Sequence, residues 1–390
     1  MTMPQAENPT AATAAPAAGA SGSRLESIDV LRGLVMVVMA LDHVRDYFHW
    51  GVAHGFDPLD LATTTPVLFF TRFVTHFCAP TFMLLAGTGA AMFGARGRTP
   101  GELSRFLLAR GAWLILLELT YFHWAWDFNF DLAHNWGLVI WALGWSMIVL
   151  AGLIHLPRWA PLVFGLVLIA GHNALDGIKP EAWGGWAWLW HVLHVQGTFK
   201  VGAGGSFWVM YPLVPWVGVM AAGYALGAVF QQPAEVRRRW LWRLGLGALA
   251  AFAVVRGLNV YGNLTPWTPQ PQAGFTVLSF LDVTKYPPSL CYLLVTLGGA
   301  LIALALLDRG TPRWLQPFLV FGRVPFFYYL LHIPLIHALA VLAGKIWGRE
   351  GFSLAIVYLV WAGVVVALYP LCRWFAGVKR RHRSVWLSYL

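Results

Sequence analysis

Apolar residues along the chain gather in long runs, as in Leu34 to Leu41, Trp136 to Ile154, Leu246 to Val255 and Leu290 to Leu307. Most of these runs lie within stretches of about 20 residues, the length a helix needs to cross the hydrocarbon layer of a bilayer. The pattern predicts spans near 28–48, 66–93, 104–125, 136–155, 159–175, 207–230, 241–261, 287–307, 318–345 and 352–374. The expected fold is therefore an all-α integral membrane protein with about ten transmembrane helices. The stretch from Glu181 to Ser206 is too polar and too rich in glycine to cross simply, and reads as an interfacial or re-entrant piece.

Composition agrees with this pattern. Of the 390 residues, 58% are hydrophobic and 11% charged, against about 25% charged in soluble domains, so an aqueous surface cannot be built. Many of the 22 tryptophans, such as Trp183, Trp186, Trp188 and Trp190, fall near expected span ends, where amphipathic rings favour the headgroup layer. The net charge of +10 does not indicate nucleic acid, because the basic residues are dispersed among short connections. Arg24, the Arg96/Arg98/Arg105 group, Arg158, Arg237-Arg238-Arg239, Arg309/Arg313 and Lys379-Arg380-Arg381 lie in alternate connections, which places that side and both termini in the cytoplasm. Lys345 and Arg349, in an outer loop, run against the trend. The expected location is the cell inner membrane, crossed many times.

Residues 1–23, mostly Ala, Pro, Ser, Thr and Gly, lack the features of a signal peptide and read as a disordered tail. A single membrane domain would follow over 24–375, then a basic cytoplasmic tail over 376–390. Cys78, Cys291 and Cys372 lie in or beside apolar spans and read as small buried hydrophobes.

Charged groups inside a span are costly and mark either a functional site or a buried pair. The first span holds the densest set. Arg32 and His43 are eleven residues apart, about three turns and about 16 Å of rise, so both project from one face. That geometry suits a long donor with anionic groups near Arg32 and its reactive end near His43. Arg72 and His76 share a face of the second span, at a depth that brings Arg72 close to His43. Asp46 is placed to orient the His43 imidazole as a carboxylate orients a general base. A structural ion network, Asp42 with Arg45 and Asp46 with another helix, explains the same residues equally well. The loop with Asp127, Asn129, Asp131, His134 and Asn135 could bind a sugar or could simply be solvated. Arg323, His332 and His337 punctuate the ninth span, where Pro325 and Pro334 would kink it. No metal-ligand spacing and no nucleotide loop occurs.

Arg24-Leu-Glu-Ser-Ile-Asp-Val-Leu-Arg-Gly33, followed by eight apolar residues and Asp42-His43, resembles the opening helix of the transmembrane acyltransferase superfamily. The nearest branch is similar to bacterial relatives of heparan-alpha-glucosaminide N-acetyltransferase. The likeness continues in His76-Phe-Cys-Ala-Pro80 through Gly87, in Thr284-Lys-Tyr-Pro-Pro-Ser289 and in Gly322-Arg-Val-Pro-Phe-Phe-Tyr-Tyr-Leu-Leu-His332. The resemblance implies transfer of an acetyl (acyl) group from cytoplasmic acetyl-CoA to an acceptor, often a sugar, on the far side of the membrane. It puts Arg32 near the cytoplasmic donor and His43 at the essential histidine, while an alignment to the eukaryotic enzyme points instead to His54. On the reading of the residues themselves, His43, oriented by Asp46, would act as general base or carry the acetyl group transiently, and Arg72 and His76 would stabilise the developing oxyanion or hold the thioester. The expected partners are acyl-CoA, membrane lipid and a glycan or other small acceptor. A transporter or flippase for a polar or lipid-linked solute, or a non-catalytic partner of a glycan-modifying enzyme, would also use polar residues in spans.

Overall fold

A computed structural model describes residues 25–348, 351–382, 384 and 387. The expected tail over 1–23, Arg24 and Arg349 lie outside the described residues. The first helix, α1 (Glu26–Phe48), leads into a single turn, α2 (Trp50–Ala53). The second expected span is broken into α3 (Pro66–Thr75) and α4 (Cys78–Gly94). Thr65 starts it by accepting a hydrogen bond from the Leu68 N–H, with Pro66 in the first turn. The third begins earlier than expected, as α5 (Pro100–Leu117), because Thr99 and Glu102 form a capping box. It continues through a π turn at Glu118–Phe122 into α6 (His123–Asp127).

Helices α7 (Val139–Leu153) and α8 (Ala160–Gly171) follow, and helical turns over Pro180–Trp186 lead into α9 (Ala187–Leu193). The Pro180–Leu193 stretch is bent by 109° from Ala160–Leu175, in keeping with a segment that lies across the end of the bundle. Next come α10 (Leu213–Phe230), α11 (Ala234–Leu258), α12 (Ala273–Leu281) and α13 (Leu290–Leu307). The chain ends with α14 (Gln316–Arg323), α15 (Pro325–Trp347) and α16 (Leu354–Arg381). Val324 separates α14 from α15, as expected of a residue before proline. Pro334 remains inside α15.

Among the described residues, six helices are long and apolar enough to cross a membrane: the α3–α4 pair, α10, α11, α13, α15 and α16. The bent Ala160–Leu193 pair would add one. The other expected spans are helical but charged or short. Helix α1 carries Asp29, Arg32, Asp42, Arg45 and Asp46, and the 15 residues of α7 rise only about 22 Å.

The structure departs from the sequence expectation in three places. The chain is not purely helical: β1 (His134–Gly137), β2 (Gly197–Val201) and β3 (Gly205–Val209) form a sheet in the order β1-β3-β2. β1 runs parallel and β2 antiparallel to β3. Gly202, at φ +62°, permits the turn between β2 and β3, so Gly205–Val209 is strand where a span was expected. Arg237-Arg238-Arg239 lies within α11 rather than in a connection, since no helix breaker follows Pro233. Arg237 there grips Asp308 beyond α13 through Nη2, at 2.8 Å. Residues 376–381 continue α16 instead of opening a tail.

Five helix pairs meet at facing glycines. Gly33 of α1 lies against Phe318 and Gly322 of α14, and Gly322 against Asp29 and Gly33. Gly87 and Gly223 bring α4 to α10, Gly111 and Gly144 bring α5 to α7, Gly165 and Gly218 bring α8 to α10, and Gly245 and Gly298 bring α11 to α13. In lipid, where apolar side chains gain little by associating, such close backbone approach supplies the dispersion contact that joins helices. A Cβ on Gly33 or Gly322 would strike backbone atoms of the opposing helix, which no rotamer change relieves. Gly33→Ala and Gly322→Ala should each destabilise the fold by about 1–3 kcal/mol or more. Gly247→Ala, where a Cβ meets nothing within 4 Å, should melt like wild type. Thermal unfolding and monodispersity in detergent check both.

Candidate active site

Asp42 and His43 are neighbours on α1 and so point about 100° apart. Asp42 turns towards α3, where Arg72 Nη1 donates to its two oxygens at 2.7 and 2.6 Å and the Thr75 hydroxyl donates at 2.8 Å. Arg45 Nη2 adds a contact at 2.9 Å, and Lys285 Nζ lies 3.8 Å away. A carboxylate so buried is tolerable only with several partners of this kind.

His43 turns towards α15. Its Nδ1 lies 2.7 Å from His332 Nε2, with the two rings stacked. His332 Nδ1 lies 3.1 and 2.9 Å from the carbonyl oxygens of Tyr328 and Tyr329. Carbonyls only accept, so His332 Nδ1 carries the hydrogen and, in a neutral ring, Nε2 accepts. His43 Nδ1–H is then the donor, and His43 Nε2 holds the lone pair. That nitrogen has no partner among the described residues, and His43 lines a cavity. The Trp126 ring meets His43 edge-on at 4.9 Å.

This cavity, about 410 Å³, is walled by Trp126, Trp136, Trp208, Tyr211, Tyr286 and Tyr329, with Asp42, Asp46, Arg72, Asp127 and Lys285 as its charged groups. Trp208 comes from β3 and Trp136 from β1, so the unexpected sheet supplies part of the wall. A second cavity of about 360 Å³ has an apolar lining of Met36, Met39, Phe82, Phe326 and others, and carries Arg32, Arg110, Arg323 and Lys379. Val139 and Tyr329 line both. The two cavities therefore meet at one wall, and Tyr329 stands with its ring 6.2 Å from that of His43.

The sequence-based candidates separate on this map. Arg32, Met36, Met39 and His43 form one stripe of α1, as the eleven-residue spacing implies, but Arg32 faces the basic cavity and His43 the aromatic one. Arg72 lines the aromatic cavity and is held by Asp42, so it does not join Arg32 in a single donor site. Asp46 does not orient His43. Arg45 takes it at 2.6 Å, and His332 occupies the nitrogen that Asp46 was expected to hold. His76 is buried against Tyr292 and Phe73 with both ring nitrogens unbonded, and lies on neither cavity. It stands at the break between α3 and α4. His54 is exposed, bonded to the Trp50 carbonyl, and also lies on neither cavity.

Asp131 is tied to His134 at 2.8 Å and to the Ala133 N–H, which hold its carboxyl below the usual range and close the loop on itself. The residues the pattern did not single out for the site are His332, Tyr329 and Lys285. Their signal lay in the two short motifs ending at Ser289 and His332, which carry no spacing that shows what they face. Among the described residues, no three His, Cys, Asp or Glu side chains are grouped to share a metal ion.

The family model for the catalytic region of heparan-alpha-glucosaminide N-acetyltransferase matches residues 24–265. The match takes in Arg32, Asp42, His43 and Arg72 and ends before Lys285, Tyr329 and His332. No curated protein matches the chain.

Asp42→Asn should cost about 3–5 kcal/mol of stability, because it leaves Arg72 and Arg45 buried without their anion. The double variant Asp42→Asn/Arg72→Met should recover part of that loss. Thermal unfolding of the two proteins in one detergent makes the comparison.

Proposed function

The chain belongs to the heparan-alpha-glucosaminide N-acetyltransferase catalytic family, and from that premise we propose that it transfers an acetyl group from cytoplasmic acetyl-CoA to a sugar hydroxyl or amine on the outer side of the membrane. In this reading the chain crosses the inner membrane about ten times, with both termini in the cytoplasm. The basic cavity is the donor site and the aromatic cavity the acceptor site. The observation that carries the reading is the wall shared by the two cavities beside the His43–His332 pair.

The fit of the donor rests on two features of the basic cavity: four cations suited to phosphate groups, and an apolar lining between Arg32 and Met39 that rises about 10 Å along α1. Acetyl-CoA supplies an activated thioester carbonyl. His43 Nε2 takes the proton from the acceptor hydroxyl or amine as that atom attacks the carbonyl. The CoA sulfur leaves with the electron pair of the broken C–S bond. His332 is the positioning residue: by accepting from His43 Nδ1, it keeps the lone pair on Nε2, facing the acceptor. Arg72 places positive charge beside the reacting carbonyl, where its oxygen becomes negative.

Calorimetry on detergent-purified protein should show saturable acetyl-CoA binding, weakened about tenfold or more, ~1.4 kcal/mol, by Arg32→Ala and by Arg323→Ala. His43→Ala should retain donor binding yet lower acetyl transfer by about 10²-fold or more. A folded protein that does not bind acetyl-CoA would sink the reading, and solute flux without CoA would favour a transporter.

A further inference from the structure

Lys285 is held rigidly at the aromatic cavity. In the segment before α13, the Thr284 N–H donates to Asn263 Oδ1 at 2.9 Å, and the Ser289 hydroxyl donates to the same oxygen at 2.8 Å. The Ser289 N–H closes back on the Thr284 carbonyl at 2.9 Å, and Lys285 bridges to Pro288. Arg256 anchors the segment just upstream by donating to the Asp282 and Phe280 carbonyls at 2.7 and 3.0 Å. The backbone thus delivers one ammonium group to the cavity wall at a fixed place.

That ammonium is short of acceptors. Lys285 is 8% exposed and lines the cavity, yet among the described residues none of its three N–H groups finds a hydrogen-bond acceptor. Among the described residues its one carboxylate partner, Asp42, is 3.8 Å away, already accepts from Arg72 and Thr75 and is paired with Arg45. The Tyr286 ring lies 5.1 Å away, a weak cation–π contact that leaves the hydrogens unbonded. The network around it is rich in donors throughout. Three cations, Arg45, Arg72 and Lys285, face two carboxylates, Asp42 and Asp46, and Arg45 Nε and Nη1 are buried without a partner. Asp127 lines the same cavity but is exposed and joins no ion pair among the described residues. A buried ammonium in this state is completed by an anion that brings its own oxygens. The surrounding Trp126, Trp136 and Trp208 rings offer flat apolar faces suited to a sugar.

We infer that Lys285 holds an anionic group of the ligand of the aromatic cavity, and that the acceptor is a sugar bearing a carboxylate or a phosphate. This inference rests on the acyltransferase reading for the word acceptor, but the anion site itself stands on the unbonded ammonium.

The test compares glucuronic acid and glucose 6-phosphate with uncharged glucose on the purified full-length protein, by calorimetry or by the fluorescence of the cavity tryptophans. At least one charged sugar should bind ten or more times tighter than glucose. Lys285→Met should abolish that preference while Lys285→Arg keeps it. Equal binding of charged and uncharged sugars by the wild type, no binding of either charged sugar, or a preference that survives in a folded Lys285→Met protein would each overturn the inference. The wild-type comparison holds even if a variant fails to fold. Acetyl-CoA binding, measured on the same samples, separates the two readings. Its absence with the anion preference intact rejects the acyltransferase alone, and its presence without the preference rejects the anion site alone.

Discussion

The burial of the Asp42 carboxylate is the constraint on which the site depends. A single carboxylate inside an apolar bundle is strongly unfavourable unless hydrogen-bond donors surround it. Here the cations come from α1 itself, from α3 and from the segment before α13, and α3 also supplies hydrogen bonds. Gathering them draws three parts of the chain, far apart in sequence, around one residue. Arg45 serves both Asp42 and Asp46, so the network also fixes the last turns of α1.

His43 inherits its position from that anchor. The residue after Asp42 is turned by about 100°, which carries it out of the ion network and onto α15, where His332 receives it. His332 is itself fixed by carbonyls of its own helix. The result is a directional chain of hydrogen bonds that begins at backbone oxygens and ends at one free imidazole nitrogen on a cavity wall. Backbone contact between α1 and α14 at Gly33 and Gly322 holds the basic cavity against the same helix. Two cavities of different character, one cationic with an apolar lining and one aromatic with mixed charge, are thereby kept on a common wall at Tyr329 and Val139.

Much of this was legible in the residues alone. Helices stand at every expected span, and the stripe of Arg32 and His43 follows from helical period, because both positions sit on one uninterrupted helix. Arg72, on α3, lines the same cavity as His43, a juxtaposition of two helices that helical period alone does not supply. Where the backbone leaves regular geometry, extrapolation fails. His76 stands at the break between α3 and α4 and lines neither cavity. The glycine turn at Gly202 makes a hairpin of a stretch that composition could only mark as not crossing simply. The π turn at Glu118 offsets everything after it from simple helical register.

The membrane class, the helical segments and the set of charged residues that need partners follow from the residues alone, since hydropathy and helical period are local properties of the chain. Who those partners are depends on how the helices pack. Asp46 and His332 were both chemically able to hold His43, and the choice between them is a matter of distance between helices about 290 positions apart. That distance is set by side-chain-free contacts at glycines and by the shared anion at Asp42, neither of which can be read from residues taken one segment at a time.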